Sequence, residues 1–182
     1  MREQIRWWLR PQDGDGILAI FARLDSHGAR LIRESTGEFE SWGTEVDTAG
    51  TYQATTPEDL VGSWTRRAMP RVAFNLWCGP DLGAMVSLSQ DDRRCEFIID
   101  LDGFWFDEAE KLAAILFWIA VTTEDSIALI AAAIFDFLPE WPLFVEDPSL
   151  IQKQEPDLFW IKSFGEGGTP YLHARPGYWW RP

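Results

Sequence analysis

AILFWIAVTTEDSIALIAAAIFDF, residues 114–137, is almost unbroken apolar sequence with one short polar notch. A membrane-spanning helix needs about 20 consecutive apolar residues. Here residues 112–121 are apolar, residues 122–126 (Thr-Thr-Glu-Asp-Ser) interrupt, and the apolar run resumes at Ile127. Bridging the notch would put Glu124 and Asp125 near a bilayer centre with no cationic partner, which is costly. No Lys or Arg cluster flanks the run to orient it. The notch reads instead as a boundary between helices. Thr122 or Thr123 can cap a new helix, with Glu124 and Asp125 at its positive end. Asp107-Glu108-Ala109-Glu110 resembles a capping box for the preceding one. The pattern predicts two buried apolar helices, 107–121 and 123–138, the second stopped by Pro139. The run is then core, and function must sit elsewhere.

Upstream, residues 71–101 supply what those helices cover. Val72, Phe74, Leu76 and Cys78 alternate with Ala73, Asn75 and Trp77; residues 84–90 follow, then Cys95, Phe97, Ile99 and Leu101 in alternation. Three such segments joined by short polar turns predict a β-meander. A first strand is predicted at 2–9 and further strands at 157–164 and 171–179. Asp13-Gly14-Asp15-Gly16 is turn chemistry, and Ile17, Leu18, Phe21 and Leu24 can line a helix broken near His27-Gly28. Thr56-Pro57-Glu58-Asp59 starts a helix to about Ala68, with a cap, Pro at the first position and two acids. Residues 35–56 read as an exposed loop. The whole predicts one α+β domain, 1–182: an antiparallel β-sheet packed by apolar helices.

The 182 residues carry 29 acidic and 16 basic side chains, a formal net charge of −13. That field repels nucleic acid and anionic lipid, so a basic protein is the better partner. Acidity also simply keeps a chain with 11 Trp soluble. Residues 1–10 have no continuous apolar segment, so no signal peptide is expected there. Cys78 and Cys95 fall at opposite ends of the meander strands, roughly 20 Å apart, too far for a bridge. A reducing, cytoplasmic setting fits them.

No catalytic constellation stands out. Asp100 and Asp102 end a strand, where paired carboxylates can hold a divalent metal, with His173 as a further candidate; the simpler reading is that both acids leave the sheet toward water before the Asp107 helix. Asp13-Gly14-Asp15-Gly16 begins like a calcium loop, but its twelfth position is Leu24, not Glu. Gly165-Glu166-Gly167-Gly168 lacks the following helix a phosphate loop needs. His27 and His173 have no nucleophile motif beside them. Expected catalytic, metal and cofactor residues are therefore none.

The acidic asymmetry says more. Residues 34–59 carry seven acids and no base: Glu34, Glu38, Glu40, Glu45, Asp47, Glu58 and Asp59. With Trp42 and Tyr52 among them, the segment has the makeup of a binding patch. Aromatic anchors supply affinity, and acids steer a basic partner in. The same composition also suits a solvated loop whose aromatics cover the rim of the core.

Arg71-Val72-Ala73-Phe74-Asn75-Leu76-Trp77-Cys78-Gly79, followed by residues 84–89 and 97–101, resembles the immunity proteins of bacterial polymorphic toxin systems, in particular immunity protein 52. Trp7-Trp8-Leu9-Arg10-Pro11 and Leu158-Phe159-Trp160-Ile161-Lys162 fall in the matching order. The resemblance implies a cytoplasmic antidote without catalysis, which binds a cognate toxin domain and occludes its active site or blocks its assembly. Glu34, Glu38, Glu40, Trp42, Glu45, Asp47 and Tyr52 are the expected contacts on composition alone; the resemblance fixes none. The alternatives are a metal-dependent enzyme on Asp100 and Asp102, and an adaptor of a phage or secretion machine. Monomer and homodimer stay equally open.

Overall fold

The computed structural model describes residues 4–44, 51–52, 54–67, 71–92, 94–101, 106–123, 126–132, 158–161 and 171–174. In chain order these form β1 (Gln4–Leu9), α1 (Gly14–Ser26), β2 (Ser41–Thr44), β3 (Thr51–Tyr52), α2 (Pro57–Arg67), β4 (Arg71–Trp77), β5 (Gly83–Gln90), β6 (Cys95–Asp100), α3 (Phe106–Thr122), β7 (Ser126–Ala132), β8 (Leu158–Ile161) and β9 (Tyr171–Ala174). The strands make one antiparallel sheet in the order β3-β2-β4-β5-β6-β1-β7-β8-β9. The architecture is α+β. No helix among the described residues is long and apolar enough to cross a membrane.

The meander forms where its alternation places it. Val72, Phe74 and Leu76 of β4 stand opposite Leu88, Val86 and Ala84 of β5, and Val86 and Leu88 stand opposite Ile99 and Phe97 of β6. Opposed residues share a face, so these side chains make one apolar surface, continued by Ile5, Trp7 and Leu9 of β1. Ile17, Ile20, Phe21 and Leu24 of α1, Leu60 and Val61 of α2, and Leu112, Leu116 and Ile119 of α3 complete the same core. Phe21 meets Phe74 edge to face at 5.1 Å, and Trp7 lies 5.4 Å from Phe97.

Caps set the helix ends. Asp13 accepts a hydrogen bond from Gly16 N at 2.8 Å and starts α1. At the far end Ala29 N donates to Leu24 O and Gly28 N to Asp25 O, both at 3.0 Å. Gly28, at φ +90°, supplies the left-handed residue this Schellman turn requires. Thr56 Oγ1 accepts from Asp59 N at 3.1 Å and starts α2 before Pro57, as its sequence predicts.

Two expectations fail. The helix predicted over 123–138 is not there: residues 126–132 are strand β7, inserted between β1 and β8; residues 133–138 lie outside the described residues. Thr122 and Thr123 close α3 rather than open a new helix. Thr122 Oγ1 donates to Trp118 O at 2.8 Å and Thr123 Oγ1 to Ile119 O at 2.6 Å. Arg23 of α1 clamps that end, donating to Thr123 Oγ1 at 2.7 Å, to Ile119 O at 3.4 Å, and to Thr122 Oγ1. A short apolar run has no periodicity that separates buried strand from buried helix. Here the second edge of β1, the one not paired with β6, is taken by this segment, with Ile5 opposite Ala131 and Trp7 opposite Leu129. The second failure is the exposed loop over 35–56, which contains strands β2 and β3. They are short, and their Ser, Gly and Thr residues carry no alternating apolar signal. Pairing with β4 makes them strands.

Candidate functional site

The acidic segment is built on the β4 edge. Arg30 pairs with Trp77 through both backbone bonds, Arg30 N to Trp77 O at 2.8 Å and Trp77 N to Arg30 O at 2.6 Å. The chain then leaves the sheet and turns back on itself. Arg33 N donates to Glu38 O at 2.9 Å and Gly37 N to Arg33 O at 2.8 Å, with Gly37 in the left-handed region at φ +72°. It rejoins β4 where Asn75 N donates to Glu40 O at 3.0 Å, and continues as β2. Residues 30–44 are thus a strap held at both ends by one strand.

Polar side chains lock the strap. Arg33 Nε and Nη2 donate to Asp81 Oδ1 at 3.1 and 2.7 Å, and Ser35 Oγ donates to the same oxygen at 2.8 Å. These hydrogen bonds, that of Ser35 foremost, hold the Asp81 carboxyl below its ordinary range. The Arg33 guanidinium also lies over the Trp77 ring, 4.8 Å from its centroid, and 3.7 Å from Glu40 Oε1. Glu40 Oε2 accepts from Asn75 Nδ2 at 2.7 Å. Glu34 pairs with Arg30 at 2.9 Å.

An open cleft of about 540 Å³ lies beside the strap. Glu38, Glu40, Phe39 and Trp42 line one side, and Ala54 and Thr55 another. Ser41 Oγ ties the two sides, donating to Ala54 O at 3.1 Å and accepting from Ala54 N at 3.0 Å. Trp42 is 36% exposed. Glu38 is exposed and has no ion pair among the described residues. The volume lies in the range of ligand-binding clefts, about 300–1,000 Å³.

Of the sequence-predicted contacts, Glu38, Glu40 and Trp42 therefore meet around one cleft. Glu34 is turned to Arg30 instead. Tyr52 stands on β3 opposite Gly43, the neighbour of Trp42. Glu45 and Asp47 lie outside the described residues. Sequence reasoning missed Arg33, Trp77 and Asp81. Counting charge from Arg30 rather than Glu34 would have shown two arginines feeding the acidic segment.

The metal-enzyme candidates do not converge. Asp100 ends β6, where its Cα partners are Gln4 and Met85; Asp102 is outside the described residues. His173 is on β9, four strands from β6, about 19 Å at the usual strand spacing. No group of three or more His, Cys, Asp or Glu among the described residues is placed to hold a metal ion. Cys78 and Cys95 are unbridged. Cys95 pairs with Gln90, at the opposite end of β5 from Gly83, which faces Trp77. Burial first, and then Glu108 for Cys78 and Glu96 for Cys95, pushes each thiol up to about 12.

Comparison with protein-family models, with curated proteins and with solved structures finds no match to this chain.

Proposed function

We propose that the chain is an immunity-type binding protein. It neutralises a cognate bacterial toxin domain in the cytoplasm by covering that domain's active site, and performs no catalysis itself. The observation that carries this reading is the half-open Trp42 in one cleft with Glu38, which has no ion pair among the described residues. An aromatic anchor at the centre of an acidic surface is the chemistry of a protein-binding hot spot. The net charge of −13 supports a basic partner, because opposite fields raise association rates by roughly 10–10³. Toxins that act on nucleic acid or other anionic substrates carry such basic clefts. The strap suits the role mechanically: with both ends on β4 and Arg33 tied to Asp81, it presents Glu38 and Trp42 with little ordering cost on binding.

The test is co-purification of the full chain with the polypeptide encoded beside it, and survival of cells that produce that polypeptide. Binding and rescue that are both lost on Trp42→Ala with Glu38→Lys are the expected result. A neighbouring polypeptide that is not toxic, or that the chain neither binds nor silences, removes the reading.

A further inference from the structure

We infer that the Trp42 cleft receives one arginine side chain of the partner, its guanidinium stacked on the Trp42 indole and paired with Glu38. The inference rests on reading the chain as a binder of a basic protein, and it names what that binder recognises.

The molecule contains a filled version of the same arrangement. Arg33 lies over Trp77 with its Cζ 4.8 Å from the ring centroid, and its edge is held by Asp81 at 2.7 Å and faced by Glu40 at 3.7 Å. An indole under the plane and a carboxylate at the rim satisfy both aspects of a guanidinium: a flat, weakly hydrated face and a fork of N–H donors. A few residues along the strap, Trp42 and Glu38 supply the same two groups around a cleft, and no arginine of the described residues pairs with Glu38. Glu40 is committed to Asn75 and Arg33 and adds field rather than a free acceptor.

The cleft is also the right size and polarity. About 540 Å³ admits an arginine side chain with its flanking backbone. Trp42 stands opposite the small Ala73 in the β2–β4 ladder and is 36% exposed. A lysine would reach the same carboxylate, but its compact, strongly hydrated ammonium makes poorer use of the ring face.

The probe is Nα-acetyl-arginine amide, titrated into the full chain while indole N–H signals are followed by NMR. Trp42→Phe identifies the Trp42 signal among those of the 11 tryptophans. The Trp42 signal should shift saturably, with half-saturation at roughly millimolar concentration, as a single side chain allows. Nα-acetyl-citrulline amide, the same shape without charge, should leave it in place. Nα-acetyl-lysine amide should bind more weakly. Glu38→Gln should weaken arginine binding about threefold. A Trp42 signal that does not saturate, or that responds equally to citrulline or to lysine, overturns the inference. No partner protein is involved. Arginine binding without a co-purifying toxin therefore retains the cleft and removes the immunity reading; a toxin that binds while arginine amide does not removes only the cleft.

Discussion

Asp81 and Arg33, 48 residues apart in sequence, meet at 2.7 Å and fix the acidic strap to the loop between β4 and β5. Ser35 donates to the same Asp81 oxygen and Trp77 lies beneath the Arg33 guanidinium. Gly83 makes room for that indole: a Cβ there would approach the Trp77 ring to 2.8 Å.

That latch should respond to acid. The Ser35 hydrogen bond first, and then Arg33, lower the Asp81 carboxyl from its ordinary 3.8. A carboxyl depressed in the folded state contributes stability that is complete above its unfolded value and is lost as pH falls through the folded value. The Asp81 latch should therefore hold at pH 5 and open only below about 3.8. Carboxyl-detected NMR of Asp81 should give a midpoint under 3.8 that rises in Ser35→Ala and in Arg33→Ala. A midpoint at or above the ordinary value, unmoved by either substitution, contradicts the latch.

The thiols should be inert. With both lifted to about 12 by burial, only about one in 10⁴ is ionised at pH 8. Ellman's reagent should find almost no reactive thiol in the folded chain and two after denaturation. Cys78 is the sharper test, because it is only partly buried. A thiol that reacts at the rate of free cysteine in the native protein refutes the placement.

Core and surface should separate cleanly on the two faces of β4 and β5. Phe74 is fully buried and meets Phe21 edge to face, so Phe74→Ala should cost about 3–5 kcal/mol. Met85, on the opposite face and 48% exposed, should tolerate alanine within about 0.5 kcal/mol. Urea unfolding followed by tryptophan fluorescence measures both. Equal losses at the two positions would mean that the sheet faces are misassigned.

At the α1–α3 junction, Arg23→Ala leaves the carbonyl of Ile119 and the hydroxyls of Thr122 and Thr123 without their cationic donor. A loss of about 1–2 kcal/mol is expected. Arg23→Lys should recover only part, since one ammonium cannot reproduce the fork. Full recovery by lysine would show that charge, not geometry, closes the helix.

These features differ in how far the sequence discloses them. β4, β5 and β6 are legible because one face is buried and the other is not, which prints a period of two on residues 72–101. The cap at Thr56 is legible because it is local. Register is not: nothing near Ser126 says that this segment pairs with β1, and nothing near Arg33 points to Asp81. The candidate site divides the same way. Its acids and Trp42 can be counted along the chain, whereas their partners Arg30, Arg33 and Asn75 are brought in by pairing at the β4 edge.

The β1–β7 ladder offers the most direct test of the strand that replaced the expected helix. Gln4 and Ala132 are directly opposed Cα partners in the antiparallel ladder. Directly opposed Cβ atoms lie about 4.5–5.5 Å apart, near the 3.5–4.5 Å a disulfide spans. Gln4→Cys with Ala132→Cys should therefore crosslink under mild oxidation. Gln4→Cys with Ala131→Cys should not, because Ala131 is the partner of Ile5 and so lies one position out of register with Gln4. Native Cys78 and Cys95 are too shielded to compete. In a helix over 123–138, residues 131 and 132 would differ by only about 100° around the axis, and neither would be set opposite Gln4 by a ladder. Crosslinking of the Ala132 pair alone therefore identifies β7, and crosslinking of both pairs or of neither removes it.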